Sequence, residues 1–462
     1  MRHTVAVIAL LATGCASMAP QYARPDPRIP TSWPVGDPYL RASEAALPAV
    51  PYTQIFQDPR LQALIGQALT NNRDLAIAAA NIAAAREQVR IQRAEQFPQV
   101  DASGGVTATA DDQSSGLDAS FQAGVGVTNF ELDLFGRLRS LTDVQRNRYF
   151  GTEAAARATR LALVADIASA WLNHAADSSR LRIAQQTSDS ASKSVRLTRL
   201  RLEGGIAPRT DLRQAEQIQA QAQADLARQR TALAQDENLL QLLAGAPIDP
   251  DLLAASIEEA AGSIAAPPAG LDSYVLLRRP DVVEAEYQLR AANAQIGAAR
   301  AALFPRITLT GLLGVASSAL GSLLSGGSFG GSAGADITYP IFQAGAARAN
   351  VRLTEAQKAA AIATYQRTVQ TAFREVADAL ARRGTINDEV AANQRRQAAT
   401  ADAYLLTEAR YREGIDNFLS SLDAQRSYYA AQLQLVQARL AAAQNQVDLY
   451  EALGGDSLLS AR

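Results

Sequence analysis

Two histidines, His3 and His174, and one cysteine, Cys15, are the only imidazole and thiol groups in 462 residues. Zinc centres and Cys/His or Ser/His nucleophile systems need more such side chains than this body holds. Acid–base chemistry by Asp and Glu alone stays open, but no carboxylate pair stands out by spacing. The chain therefore reads as no enzyme, with no metal and no cofactor. One cysteine closes no disulfide within the chain. A net charge of −2 offers no basic field for nucleic acid. One charged constellation has helical spacing: Leu419, Asp423 and Arg426, four and three apart, share one face. The alternative is a solvated surface charge pair.

Cys15 is where chemistry concentrates. Arg2 precedes an apolar run from Thr4 to Ala12, and Thr13-Gly14-Cys15 follows. The run is too short to cross a bilayer as a helix and reads as a signal peptide over residues 1–14. Leu11-Ala12-Thr13-Gly14-Cys15 resembles a bacterial lipobox, with Ala12 where leucine is commonest. The alternative is an ordinary signal peptide with an incidental cysteine. On the lipoprotein reading, Cys15 becomes the lipidated first residue, and each buried methylene contributes ~0.8 kcal/mol to anchoring. Ala16 next to it, rather than an acidic residue, suits the outer membrane in lipoproteins of this kind. Residues 15–56 form the lipidated N-terminus and a proline-rich, extended, non-helical leader, which Trp33 is expected to pin to the body.

The second half of the chain repeats the first. Asp74, Gln88, Arg93, Phe97 and Pro98 recur 207 residues later as Asp281, Gln295, Arg300, Phe304 and Pro305, and Phe135 recurs as Phe342. Two inserted residues then make the offset 209, so that Arg201, Gly205 and Gly245 match Arg410, Gly414 and Gly454. A long-period duplication reports architecture rather than a pocket. Each copy begins with a helix, Arg73–Gln96 or Asp281–Leu303, stopped at Phe-Pro. A period-two segment follows. Val100, Ala102, Gly104, Val106 and Ala108 alternate with polar or small residues, as do Phe121, Ala123, Val125 and Val127, which predicts a β-hairpin. The phase flips near Asn129, which predicts a bulge. In the second copy Ile307 and Leu309, then Ala333, Ala335, Ile337 and Tyr339, alternate on either side of a Gly/Ser-rich loop, Ser317–Gly331.

Proline-free stretches then predict long helices over Arg137–Glu203 and Ala346–Glu413, the first about 100 Å long. Glycine turns lead into return helices, Thr210–Leu243 and Phe418–Leu453. These carry heptad seams, Leu226, Leu233, Leu240 and Leu433, Leu440, Val447. The expected organisation is repeat 1 over 57–247 with its hairpin at 98–135 and tip at 201–210, a linker at 248–272, repeat 2 over 273–455 with its hairpin at 305–342 and tip at 410–418, and a tail at 456–462. Beyond the signal no apolar run is long enough for a membrane helix, so a membrane crossing falls to the hairpins. Four strands cannot close a barrel, and their edges demand partners. Three copies give twelve strands and a pore. The alternative is a soluble hairpin on a helical bundle.

The segments FQDPRLQALIGQALTNNRDL (56–75), FELDLFGRLRSL (130–141), RRPDVVEAEYQLRAANAQIGAARAALFPRITLTG (278–311), YREGIDNFLSSLDAQRS (411–427) and LYEALGG (449–455) carry a family resemblance. The chain resembles the TolC-like outer membrane factors, channel lipoproteins of tripartite efflux systems, over nearly everything after Cys15. The resemblance implies a mixed α/β membrane protein. It forms a homotrimer with a 12-stranded β-barrel in the outer membrane, a periplasmic helical barrel and an equatorial α/β belt. It implies passive conduction, with energy from an inner-membrane RND-type pump joined through a periplasmic adaptor protein. The hairpin turns, Arg201 to Ile206 with Gly205 and Arg410 to Ile415 with Gly414, are plain helical hairpins with glycine C-caps on the residues alone. By resemblance they also dock the adaptor. Leu419, Asp423 and Arg426 would then form the periplasmic gate, an apolar constriction beside a ring of inter-protomer ion pairs. In the first copy, Thr210, Gln214 and Gln217 stand at those positions. A type I secretion duct of the same fold and a non-channel periplasmic coiled-coil scaffold are the rival functions.

Overall fold

The computed structural model describes residues 17–30, 32–34, 51–110, 117–265, 273–325 and 327–455. Cys15, the signal segment and the tail at 456–462 lie outside the described residues. Helices α1 (Tyr52–Ile55), α2 (Pro59–Asn71) and α3 (Arg73–Ala94) lead into strands β1 (Val100–Ala110) and β2 (Leu117–Glu131). The long α4 (Arg137–Glu203) and its return α5 (Arg209–Ala244) follow, then the short α6 (Ile257–Gly262). The second copy runs α7 (Pro280–Ala301), β3 (Arg306–Ser317), β4 (Phe329–Thr338), α8 (Ala346–Arg412) and α9 (Phe418–Ala452). Helices α4 and α8 have 67 residues each, about 100 Å at 1.5 Å per residue. Among the described residues, no helix is long and apolar enough to cross a membrane.

Two compact units emerge. One holds the sheet with residues 80–154 and 283–367 and the leader up to Asp26; the other holds residues 27–79, 155–282 and the chain from Thr368 onward. The second unit owns the main core. Phe56, Leu61, Leu64 and Ile65 pack with Val164, Ile167, Trp171, Leu172, Leu240, Ile257, Val447 and Tyr450. The heptad seams point inward as expected: Leu226, Leu240, Leu440 and Val447 are buried, while Leu233 and Leu433 are half-buried.

Three departures from the sequence reading lie in this unit. The leader's end is not extended: α1 is a helical turn, and Phe56 bridges to Ile264. Helix α2, unmarked by the alternation that locates the hairpins, starts where Asp58 accepts the Arg60 N–H at 2.8 Å and Pro59 occupies the first turn. The linker is partly ordered structure. Ser256 caps α6, whose Ile257 and Ala260 are buried, and the Trp171 indole N–H donates to the Leu252 carbonyl at 2.9 Å. Gly245 ends α5 at φ 68°, and a Cβ there would sit 2.5 Å from the Asn71 carbonyl oxygen, so only glycine closes this turn without strain.

The leader is held down as anticipated. In the sheet-bearing unit, the Asn293 amide donates to the Pro20 carbonyl at 2.8 Å, and Arg24 pairs with Glu286 at 2.6 Å. Burial opposes ionisation of Glu286, but hydrogen bonds from Arg290 and Arg24 override it and hold the carboxyl below its usual range. In the other unit, Trp33 is buried and stacks on Phe373 with ring centroids 4.9 Å apart.

Candidate pore wall and helical tips

The four strands form one antiparallel sheet in the order β1-β2-β3-β4. Residues directly opposite on neighbouring strands share a face. Val100 opposes Val127, Val106 opposes Phe121, Val125 opposes Leu313, and Val315 opposes Phe329. One face is therefore aliphatic and aromatic. The other carries Asp101, Ser103, Thr107 and Gln122 on the first hairpin and Thr308, Thr310, Ser332 and Asp336 on the second, interrupted by Leu312. Membrane-spanning barrels alternate in this way between lipid and lumen.

The phase flip is a bulge. Between Val127 and Phe130 the register slips against Gly311 and Leu309, and Asn129 adopts φ 56°. The extra residue returns Phe130 to the apolar face, beside Leu309, after the local alternation has changed parity. Below it, Glu131 lies on the polar face, paired with Arg137 at 2.7 Å and with Arg306 at 3.7 Å. Strand β4 starts at Phe329, earlier than its alternation suggested, because Gly330 and Gly331 belong to the ladder opposite Gly314 and Leu313.

At the far ends of the long helices, both turns take the same form. Ile206 N–H donates to the Arg201 carbonyl at 2.8 Å and Gly205 N–H to the Leu202 carbonyl at 3.0 Å. Ile415 N–H and Gly414 N–H repeat this to the Arg410 and Tyr411 carbonyls at 2.9 and 3.1 Å. This is a Schellman closure, with Gly205 at φ 72° and Gly414 at φ 78°. The tip arginines are spent inside the tips. Arg201 lies 4.4 Å over the Tyr411 ring and donates to the Tyr411 and Arg412 carbonyls at 3.2 and 3.0 Å. Arg410 grips Asp416 through Nε and one terminal nitrogen, which donate to its two carboxylate oxygens at 2.7 and 3.1 Å, and this hydrogen bonding holds the Asp416 carboxyl below its usual range. Ile206 and Ile415 are left presented to solvent. Sequence spacing did not show Tyr411 and Asp416 as partners of the arginines, because both contacts depend on how the turn folds back.

Leu419, Asp423 and Arg426 lie along one face of α9, and Leu419 is exposed. Arg426 and Asp423 approach to 3.9 Å with both side chains largely solvated. Within one chain the pair is loose, and exposed pairs of this kind contribute about 0–1 kcal/mol. Behind this face, Tyr411, Phe418 and Leu422 pack with Val195, Leu212 and Ala215.

The second unit also holds an acidic cleft of about 470 Å³, lined by Arg279, Glu375, Asp448 and Glu451 among others. Arg279 is its buried cation. It donates to Asp281 at 3.1 and 2.8 Å, to Glu375 at 2.9 Å and to the Ala452 carbonyl at 2.7 Å. Burial and the charges of Asp166, Asp448 and Glu375, opposed by Arg279, push the Glu451 carboxyl from its ordinary 4.5 up to about 7. A carboxyl raised on folding binds its proton more tightly in the native state. Its contribution to stability is present below pH 4.5 and is lost as pH rises through about 7. The melting temperature is therefore expected to be higher near pH 5 than near pH 8. Glu451→Gln should flatten that dependence, measured by thermal unfolding at both pH values. Among the described residues, no group of acidic, His or Cys side chains could hold a metal ion.

Comparisons with known proteins match this architecture throughout. The family model described as "Outer membrane efflux protein" matches residues 64–246 and 272–455, one segment per repeat. The chain is 42% identical over 460 residues to the probable efflux pump outer membrane protein TtgC of Pseudomonas putida, covering 98% of this chain and 95% of that one. It is 39% identical over 458 residues to the outer membrane protein OprJ of Pseudomonas aeruginosa, covering 97% and 95%. Among solved structures, the open state of the Neisseria gonorrhoeae MtrE outer membrane channel superimposes with a TM-score of 0.84 at 34% identity, covering 96% of this chain and 98% of that one. The chain belongs to the outer membrane efflux protein family and is the outer membrane exit channel of an efflux pump.

Proposed function

We propose that three copies close a 12-stranded barrel and form a passive duct for small molecules, handed over by a periplasmic adaptor and an inner-membrane RND-type pump. The sheet carries this reading. It has one apolar and one polar face, and among the described residues β1 and β4 are edge strands with no neighbour. Unpaired ladder groups are untenable in lipid, and closure on further copies of the same sheet satisfies them. The helical tips dock the adaptor through Ile206 and Ile415, in turns that Arg201, Gly205, Arg410 and Gly414 shape. Leu419, Asp423 and Arg426 form the periplasmic gate. Cys15 carries the lipid that fixes the chain to the outer membrane.

Native mass measurement and planar-bilayer recording on the detergent-purified protein test the duct. A trimer whose channels conduct ions is expected. A monomer, or bilayers that stay silent in the presence of trimer, would sink this reading.

A further inference from the structure

The duplication leaves one apolar surface covered in the first copy and bare in the second. Running out of the end of β2 is Phe130-x-Leu132-x-Leu134-Phe135; 207 residues later, running out of the end of β4, the chain reads Ile337-x-Tyr339-x-Ile341-Phe342. The first of these straps is covered by the second copy. Leu132 N–H donates to the Ile307 carbonyl at 2.9 Å, and Phe135 stacks on Phe304 with centroids 4.7 Å apart and rings inclined by 21°. All four of its apolar side chains are half-buried. The second strap has no such cover. Ile341 is 93% exposed, Phe342 87% and Ile337 70%.

The surface that would cover it exists at the other end of the duplication. Phe97 and Val100 stand where the second copy has Phe304 and Ile307, and they are 58% and 67% exposed. The preceding helices show the same asymmetry. α7 buries Leu289, Ile296 and Ala298, whereas α3 buries no side chain and exposes Ile91 at the position of Ala298.

We infer that the bare strap of one copy is covered by the Phe97–Val100 segment of the next, with Phe342 stacked on Phe97 as Phe135 stacks on Phe304 inside the chain. This rests on the trimeric reading above and gives it residues and a register. Tyr339 N–H donates to the Val100 carbonyl of the next copy, as Leu132 does to Ile307. Ile337 then stands opposite Ala102, and both belong to the apolar face of the sheet. A register wrong by one residue would have set an apolar side chain against the polar face. The contact is head-to-tail: one end of the chain presents the strap and the other the cover, so only closure into a ring satisfies both.

Oxidation of a Phe97→Cys/Phe342→Cys protein tests the contact, read on a non-reducing gel. The double variant is expected to give covalent dimers and trimers and each single variant none. Phe135→Cys/Phe304→Cys should give no ladder, because its bond closes within one chain. A trimer by native mass without a ladder overturns the Phe97–Phe342 contact and leaves the trimer standing. A monomeric parent protein overturns the trimeric reading itself. In an independent measurement, Phe342→Ala should lower the temperature at which the trimer dissociates, and Phe342→Tyr should restore it. An unchanged dissociation temperature in Phe342→Ala also overturns the contact.

Discussion

Replacing Asp423 or Arg426 with alanine is expected to raise the single-channel conductance of the resting protein several-fold in planar bilayers. The argument starts from how little the pair achieves within one chain. At 3.9 Å and largely solvated, it gains almost nothing from pairing locally. In the proposed trimer, three protomers around an axis would bring three carboxylates and three guanidinium groups together on a face that also carries the exposed Leu419. Pairing between chains would then add attractions that the local pair lacks. Loss of either partner leaves three like charges that repel, and the constriction opens. Exchanging the two residues, Asp423→Arg with Arg426→Asp, should restore the low conductance. Because both side chains are largely solvated in the single chain, raised ionic strength should weaken such a ring, with a Debye length falling from about 10 Å at 0.1 M to 3 Å at 1 M. Unchanged conductance in both single variants would rule out the gate assignment.

The second large effect is expected at Arg279. Arg279→Ala should destabilise the protein by about 3 kcal/mol, the lower end for a broken buried pair, since Asp281 and Glu375 keep some solvent. The loss goes beyond one bond. Arg279 ties the start of α7 to α8 through Glu375, and to the end of α9 through the Ala452 carbonyl. It is also the charge that opposes the further rise of Glu451. Its removal should steepen the loss of stability with rising pH. Arg279→Lys should recover only part of the stability, because a single ammonium cannot match a fork that reaches Asp281, Glu375 and a carbonyl. Denaturant unfolding of the purified variants near pH 5 and pH 8 measures both effects. Equal stability of Arg279→Ala and the parent at both pH values would refute them.

Much of this was legible in the residues, for identifiable reasons. The long helices follow from proline-free stretches between glycines, and the structure places α4 over the same residues, Arg137–Glu203. The hairpins follow from period-two alternation. The bulge follows from the parity change at Asn129, because a period of two records every inserted residue. Neither alternation nor proline spacing marks helices α1, α2 and α6, although two of them carry start signals: Asp58-Pro59 before α2 and Ser256-x-x-Glu259 at α6. The motif Arg278-Arg279-Pro280-Asp281 was visible as a family mark, but spacing gave no hint that its second arginine sits between three helices. The tip arginines show the same limit. Their sequence pattern recurs in both copies, while their partners differ: Tyr411 for Arg201 and Asp416 for Arg410.

The two-residue slip between the copies has a definite address. Helices α4 and α8 begin and end at the same offset of 209 and have equal length, so the insertion lies wholly in the short turn before α8. There Ala344 and Gly345 take φ 49° and 85°. Two residues added inside a helix would rotate everything beyond them by about 200° and turn the packed face outward. In the turn they rotate nothing downstream. Divergence since the duplication has thus been admitted at the hinge and refused along the rod. Engineered insertions should obey the same division, harmless at Gln343–Gly345 and ruinous at the middle of α8.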